Sequence, residues 1–278
     1  MPVRARLRQA AVFLAASAAL AAAHAQTAPA APAAPAAAPA AAPAAFEPRS
    51  GQQGKDVVWV PTPQVLVDKM MEVARVGPKD FVMDLGSGDG RTVITAAKRG
   101  ARALGVEYNP DMVEFARRNA EKEGVTDKAT FVKADLFETD FSKASVITMF
   151  LLPEINVKLR PKILALKPGT RIVSNTFTMG DWVPDRKIEL NRDNGCDSSW
   201  CTVLHWVVPR QVAGTYAVPA GEVTLVQKYQ MLSGTLKAAD GTHKIKGRVR
   251  GEEIRFSAGG KQYRGRMKGD KLDLSASA

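Results

Sequence analysis

The sequence predicts an α/β fold with a doubly wound, mostly parallel sheet, followed by a small antiparallel β domain. From residue 58 to residue 174, apolar runs alternate with amphipathic stretches of helical period, which is typical of parallel strands connected by helices. The apolar run 81–85 breaks into a glycine-rich loop, as the first strand of such a sheet does. After Trp206 the pattern changes to short alternating runs separated by glycines, which is typical of antiparallel strands.

The helices and strands of the first part follow from local sequence. An extended Val-Pro-Thr-Pro segment introduces the first amphipathic helix, and another begins after Asn109 and Pro110 and stops at Gly124. Continuous apolar runs are expected of strands that are buried on both faces. The predicted helices span residues 64–74, 91–99 and 111–123, and the predicted strands include 81–85, 103–106, 130–134, 146–152 and 171–174.

The second part is predicted to be a small sheet or barrel with one basic face. Lys244, Lys246, Arg248 and Arg250 share one face of a strand at period two. Such a face attracts anions, but a solvated outer face that prevents aggregation uses the same residues, so both interpretations stay open. The predicted strands span residues 224–231, 232–236, 244–249, 253–256, 263–267 and 271–274.

The first 50 residues are predicted to lie outside the folded part. Residues 1–25 carry three arginines, then an apolar run, and end in Ala-His-Ala, a cleavage site typical of a bacterial secretory signal. Residues 26–50 are rich in alanine and proline, which favours an extended spacer over a helix. We therefore predict a signal peptide at 1–25, a linker at 26–50, an α/β domain at 51–209 and a β domain at 210–278.

Charge and cysteines narrow the possible partners. The net charge is +11, and residues 244–268 alone hold nine basic residues against Glu252 and Glu253. Their basic character predicts an anionic surface or a membrane as a possible partner.

Cys196 and Cys201 lie close together in a polar loop, which favours a disulfide in an exported protein. Too few ligands surround them for a zinc site, so no metal is expected.

The glycine loop after the run 81–85 predicts a ligand site. Gly86, Gly88 and Gly90 lack a Cβ, so they allow positive φ angles and let backbone N–H groups approach a small molecule at the carboxyl end of a parallel strand. The spacing G-x-G-x-G differs from the G-x-G-x-x-G of dinucleotide sites, and no Lys-Ser or Lys-Thr pair follows as in a P-loop. Both differences disfavour NAD and ATP.

Three carboxylates follow three successive predicted strands. Asp84 precedes the glycine loop, Glu107 ends the next apolar run, and Asp135 follows the third run. This order suits a ligand with an amino group, a ribose diol and an adenine amine. S-adenosylmethionine (SAM) has all three groups and no phosphate, so SAM is the predicted cofactor.

These segments together resemble class I SAM-dependent methyltransferases, and in particular the small lysine methyltransferases that modify the ATP synthase c-subunit and the adenine nucleotide translocase. Those enzymes are distantly similar to the telomeric-silencing histone lysine methyltransferase. The resemblance covers roughly residues 58–209 and implies a Rossmann-like fold and a protein-lysine acceptor. It is carried by VPTP at 60–63, the glycine loop at 86–90, GVE at 105–107, ADLF at 134–137, FLLP at 150–153 and LKPGTRIVSN at 166–175.

The resemblance also implies roles for individual residues. The first residues of the glycine loop would approach the methionine part of SAM, with Asp84 near its amino group. Glu107 would accept hydrogen bonds from both ribose hydroxyls, and Asp135 would face the adenine amine. Either Tyr108, which follows Glu107, or Leu136, which follows Asp135, would cover the adenine ring. The predicted cofactor-binding residues are Thr62, Asp84, Gly86, Ser87, Gly88, Gly90, Glu107, Tyr108, Asp135 and Leu136.

The acceptor site is expected after the run 146–152, at Pro153, Glu154 and Asn156. Glu154 and Asn156 are the predicted catalytic residues, and Thr62 and Trp182 are possible walls. A lysine acceptor must lose a proton before it attacks, and Glu154 is the candidate base, although it could equally cap the following helix. The Asn/Asp-Pro-Pro-aromatic signature of base methylation is absent, as is a Pro-Cys pair. Nucleic acid is therefore an unfavoured acceptor.

The predicted location conflicts with the predicted cofactor. SAM is made in the cytosol, whereas the signal predicts export to the periplasm or attachment to the membrane. Three interpretations follow: an active enzyme retained inside, an exported enzyme with an unknown SAM supply, or an exported, non-catalytic binding module on a former methyltransferase fold. The intact glycines and acids favour an enzyme.

Overall fold

A computed structural model of the protein describes residues 46–277. The predicted signal at 1–25 and most of the predicted linker at 26–50 lie outside these residues. Residues 46–277 belong to one compact unit. Within 46–277, no helix combines the length and the apolar character that crossing a membrane requires.

The first sheet has seven strands in the order β3-β2-β1-β4-β5-β7-β6. Its first five strands in that order are parallel, and β7 pairs antiparallel with both β5 and β6. This confirms the predicted mostly parallel sheet. The elements are α1 (Gln64–Val73), β1 (Phe81–Leu85), α2 (Arg91–Lys98), β2 (Arg102–Glu107), α3 (Pro110–Lys122), β3 (Ala129–Lys133), β4 (Val146–Met149), α4 (Pro153–Leu164), β5 (Arg171–Asn175), β6 (Arg186–Glu189) and β7 (Thr202–Val207).

Helices cover both faces of this sheet because its strands are apolar on both sides. Val82 of β1 packs in a cluster with residues of α1, α2 and α3, such as Leu66 and Val93. The next residue, Met83, points the other way and packs with Leu159 of α4. Alternate residues of β1 therefore pack into two hydrophobic cores, one on each face of the sheet. This is the physical basis of a doubly wound fold.

The predicted helix boundaries agree with the structure to within one residue. The start of α3 shows why, since the Asn109 side chain accepts a hydrogen bond from the Asp111 N–H at 2.9 Å and Pro110 occupies the first helical position. Both are strong start signals.

The second sheet is antiparallel throughout, with the order β14-β13-β12-β11-β10-β9-β8. Strand β14 lies beside β8, so the sheet curls towards closure. The predicted break between residues 231 and 232 is misplaced, because the turn lies at Tyr229 and Gln230 and Tyr229 adopts a positive φ of 53°. The strands are β8 (Gly214–Val218), β9 (Gly221–Lys228), β10 (Met231–Ala238), β11 (Gly241–Arg250), β12 (Glu253–Ala258), β13 (Lys261–Lys268) and β14 (Lys271–Ser277).

The second sheet contacts the first through the loop between β5 and β6. The Tyr229 ring stacks on Trp182 of that loop at a centroid distance of 5.9 Å. Gln230 Nε2 donates to the Val183 carbonyl at 2.7 Å, and Arg248 pairs with Asp185. Trp182 is fully buried here, so the structure does not place it on the acceptor site as a wall. The division at residue 209 stays a prediction.

A disulfide joins Cys196 and Cys201, as the sequence predicted. It closes the short loop that leads into β7. Because β7 runs antiparallel to β5, this loop lies at the same edge of the sheet as the carboxyl end of β5. The disulfide therefore fixes a loop at the edge where ligands bind in such folds.

Candidate active site

The glycine loop lies between β1 and α2 and allows very close packing. Gly90 has a φ of 83°, and a Cβ at this position would come within 2.8 Å of the Phe131 ring. A Cβ on Gly88, whose φ is 52°, would lie 2.3 Å from the indole nitrogen of Trp59. Only glycine fits these positions, because larger residues would need both an unfavourable φ and space that other rings occupy.

Glu107, at the end of β2, holds the glycine loop in place. Its Oε2 accepts a hydrogen bond from the Gly88 N–H at 3.0 Å, and its Oε1 accepts one from the Asn109 N–H at 3.0 Å. Each carboxylate oxygen has a second lone pair, so both oxygens can still accept a hydrogen bond from a ligand hydroxyl.

Asp84, at the carboxyl end of β1, is buried and bonded to hydroxyl groups. Thr148 Oγ1 donates to Asp84 Oδ1 at 2.6 Å. Burial raises the pKa of Asp84 to about 7, while hydrogen bonds from Thr148 and Thr92 partly oppose this rise. Because no Lys, Arg or His of residues 46–277 forms an ion pair with Asp84, a ligand ammonium could supply the compensating charge.

Asp135, after β3, is engaged by Lys55. The Lys55 ammonium pairs with Asp135 Oδ2 and lies 4.9 Å from the centroid of the Tyr108 ring. The hydrogen bond from Lys55 holds the pKa of Asp135 below its usual range. The Phe137 N–H donates to the other carboxylate oxygen at 2.8 Å. The predicted adenine end of the cleft is therefore covered by a side chain from residues 51–60.

The structure brings nine of the ten predicted cofactor residues to one cavity. Gly90 lies just beneath it, where its conformation starts α2. The cavity extends from the glycine loop past the ends of β2 and β3 to the end of β4. Its predicted lining residues are Thr62, Asp84, Gly86, Ser87, Gly88, Glu107, Tyr108, Asp135 and Leu136.

The two predicted catalytic residues do not line this cavity. Glu154 is exposed on the first turn of α4. Asn156 is fully buried, and its Nδ2 donates to the carbonyls of Phe177 and Thr178 at 3.2 Å each. This geometry gives Asn156 a positioning contact with the loop after β5.

Lys55 and Trp59 contribute to the site although neither lies in a motif that the sequence analysis identified. Trp59 packs against Gly88, and Lys55 reaches Asp135. Phe150 also lines the cavity, at the end of β4. Phe150 belongs to the FLLP motif, whereas Trp59 and Lys55 have no periodic or motif signal around them. Only the long-range fold reveals their positions.

The residues of the cavity fit SAM. The buried Asp84 carboxylate can pair with the cation that the amino group of SAM carries. Glu107 keeps two acceptor positions for a diol, and the glycine loop leaves no side chain in the way. Among residues 46–277, no cluster of three or more His, Cys, Asp or Glu side chains is arranged to hold a metal ion.

Replacing Glu107 by alanine should weaken the binding of S-adenosylhomocysteine (SAH) because a charged acceptor of the ribose hydroxyls is lost. We expect a loss of about 1.5–3 kcal/mol, or roughly 10- to 150-fold in Kd, by isothermal titration calorimetry. Glu107→Gln is the matched control, since it keeps the shape and one carbonyl acceptor and should lose less. Unchanged binding by Glu107→Ala would contradict this placement of the ribose.

Binding of SAH should weaken as the pH falls below about 7. The unbound protein holds a proton on Asp84 below its raised pKa, and that proton must leave before the carboxylate can pair with the SAH amino group. The Kd should therefore rise by about tenfold per pH unit below pH 7 and stay level just above it. Calorimetry from pH 5 to 8 measures this profile. Asp84→Asn should bind weakly at every pH, and a level wild-type profile would refute the role of Asp84.

Comparison with known proteins places the site in a family. A family model described as "ANTKMT methyltransferase domain" matches residues 84–186. A protein-lysine N-methyltransferase of Saccharolobus islandicus is 48% identical over 141 residues, which are 50% of this chain and 88% of that protein. The adenine nucleotide translocase lysine N-methyltransferase of Mus musculus is 31% identical over 167 residues, which are 58% of this chain and 71% of that protein.

A solved structure has the same fold around a related ligand. The RNA methyltransferase from Salinibacter ruber, in complex with S-adenosyl-L-homocysteine, is 47% identical with a TM-score of 0.51. The match covers 55% of this chain and 96% of that one. These matches and the cavity geometry show an enzyme that uses SAM, and they favour it over a non-catalytic binding module. The chain belongs to the family of SAM-dependent protein-lysine methyltransferases.

Proposed function

We propose that this enzyme transfers the methyl group of SAM to the side-chain amine of a lysine in a protein. The observation that carries the proposal is the apolar end of β4, where Phe150 and Leu151 line the cavity beside the glycine loop. The side chains of Phe150 and Leu151 present carbon atoms at this end of the cavity. The lysine-modifying relatives support the same acceptor.

The chemistry needs little from the protein beyond placement. SAM supplies an electrophilic methyl carbon on a sulfonium, and an acceptor lone pair displaces the sulfur in line. Phe150 and Leu151 keep water from the acceptor, and burial of an amine lowers its pKa towards the neutral, nucleophilic form. Asp84 would hold the amino group of the cofactor and Glu107 its ribose, so that the cofactor is fixed in the cavity.

The two residues predicted to be catalytic fit supporting roles in this proposal. Glu154 is exposed near the end of β4, so its carboxylate can attract an incoming ammonium or accept a proton from it. Asn156 would act through the loop after β5, whose carbonyls it binds. Neither role requires a side chain inside the cofactor cavity.

RNA is the competing acceptor, because the Salinibacter ruber structure is described as an RNA methyltransferase. The β4 end of this chain reads Phe-Leu-Leu-Pro and offers no side-chain amide to orient a base amine. It also has no cysteine nucleophile, since both cysteines of the sequence are in the disulfide. These features favour a lysine over a nucleobase.

Incubation with methyl-tritiated SAM and separate protein, RNA and lipid fractions of cells should label protein. Mass spectrometry of the labelled protein should locate the added methyl groups on lysine. Glu107→Ala provides the matched control, because its weaker cofactor binding should reduce all enzyme-dependent labelling. Label confined to RNA or lipid would refute the lysine acceptor and leave the methyltransferase assignment intact.

We also propose that the enzyme works outside the cytosol or attached to a membrane. The signal-like residues 1–25 support this location, and so does the disulfide, because disulfides persist in oxidising compartments. The proposal requires that SAM reach the enzyme there.

A third proposal concerns the basic face of the second sheet, which we infer to dock on an anionic membrane. Lys244, Lys246, Arg250 and Arg266 are exposed on this sheet and have no ion-pair partner among residues 46–277. Arg264 is different, because it pairs with Glu253, and Arg248 pairs with Asp185 of the first part. The residues without partners are therefore the ones available to lipid phosphates.

Reversing Lys246 and Arg266 to glutamate should weaken binding to vesicles that mix phosphatidylglycerol with phosphatidylcholine. Each basic residue near an anionic membrane contributes about 1 kcal/mol, so losing two should reduce binding roughly 30-fold or more. Cosedimentation at low and high salt measures this, since salt screens the attraction. Lys79→Glu with Lys122→Glu is the control of equal charge on the first part. Equal loss in both double variants would contradict a specific docking face.

A further inference from the structure

Three half-buried aromatic rings meet at the acceptor edge of the sheet. Phe150 follows β4, Phe177 follows β5, and Trp200 precedes β7 in the disulfide loop. The Phe150 and Phe177 rings stack at 5.8 Å between centroids and 15° between planes. Trp200 meets Phe150 edge-on at 6.0 Å. The three rings, which we call the aromatic triad, form one continuous surface.

The aromatic triad continues directly from the cofactor cavity. Phe150 lines the cavity, whereas Phe177 and Trp200 lie beyond it. The surface therefore extends from the end of the cavity where the acceptor is proposed to react out towards solvent. An acceptor side chain that enters from solvent on this side would pass along these rings.

Hydrogen bonds and the disulfide hold the backbone of the two outer residues, Phe177 and Trp200, in place. The Phe177 carbonyl accepts hydrogen bonds from Ser174 Oγ at 2.8 Å and from Asn156 Nδ2 at 3.2 Å. Trp200 lies one residue before Cys201, and the disulfide to Cys196 closes its loop. The backbone N–H of Trp200 donates to Ser198 Oγ at 3.2 Å. Fixed aromatic rings that stay partly open to solvent are suited to a ligand, since a buried core would cover them completely.

We propose that the aromatic triad is the acceptor channel and that Trp200 determines its specificity for a lysine side chain. The inference rests on the proposed lysine acceptor. Aromatic faces pack against the four methylenes of lysine and attract its ammonium by the cation–π effect. Such ring faces offer no counter-charge to a phosphate. Trp200 touches the acceptor in this proposal and does not touch the cofactor.

Trp200→Ala should lower methyl transfer without changing the binding of SAH. Loss of one cation–π face corresponds to a rise of roughly 3- to 30-fold in the KM for the labelled acceptor, with a smaller change in kcat. Trp200→Phe should have a KM close to that of the wild type because it keeps an aromatic face. Ser199→Ala, in the same loop, is the matched control and should behave as wild type.

Replacing both Cys196 and Cys201 by serine tests the positioning of the ring separately. The open loop no longer holds Trp200 against Phe150, so the KM for the acceptor should rise while the Kd for SAH stays the same. Trp200→Ala or the double serine variant could fail to bind SAH because its fold is damaged. In that case, the KM for the acceptor is compared between Trp200→Leu and Trp200→Phe, since both variants keep a large side chain in the loop.

A binding experiment tests the channel independently of activity. The SAH-bound enzyme is titrated with Nα-acetyl-lysine amide, and the Trp200 indole N–H is followed by NMR and assigned by its loss in Trp200→Phe. Its resonance should shift with this probe and shift less with Nα-acetyl-norleucine amide, which has no ammonium. An equal response to both probes, or none to either, would overturn the inference.

The two levels of proposal fail in different ways. Lysine labelling that is equally fast in wild type and Trp200→Ala would overturn the aromatic channel and leave the lysine acceptor standing. Label on RNA or lipid alone would instead refute the lysine acceptor, and the channel would fall with it.

Discussion

The Glu107 carboxylate accepts two backbone hydrogen bonds, one from Gly88 and one from Asn109, and thereby joins two of the loops that line the cofactor cleft. The glycine loop follows β1, whereas Asn109 caps α3 after β2. Neighbouring parallel strands set the distance between these loops, and one side chain fixes it. A carboxylate is needed because it alone offers two oxygens to two donors and retains lone pairs for a ligand.

The order of the strands places the cofactor residues and the aromatic residues on different parts of one edge of the sheet. The strands β3, β2 and β1 present the acids and glycines of the cofactor side, and β4, β5 and β7 present the aromatic side. The division lies between β1 and β4, where the strand order reverses and ligands bind in folds of this kind. Two substrates can therefore meet at one edge although each is held by different strands. The antiparallel β7 adds its preceding loop, with Trp200, to this edge.

The sequence predicted features whose cause is local. A buried strand, a glycine loop and an acid at a strand end each depend on neighbours in the chain, which is why the cofactor side could be predicted. Contacts between distant segments could not. Trp59 lies against Gly88 only because residues 51–60 fold back over the cleft. Asn156 looked catalytic beside a motif, yet helix α4 turns it inwards to two carbonyls. Trp182 is likewise covered by the second sheet, and no sequence pattern had indicated this contact.

Tyr229 lies at the turn between β9 and β10, and its ring stacks on Trp182 in the loop between β5 and β6, which also carries Phe177. Its hydroxyl also donates to Asp181 of the same loop at 2.7 Å. A turn far along the chain therefore sets the backbone on the acceptor side, at the opposite end of the strand order from the ribose acid. Substitutions in that turn would therefore reach the proposed acceptor side first, while Asp84 and Glu107 keep their own contacts with Thr148 and Gly88.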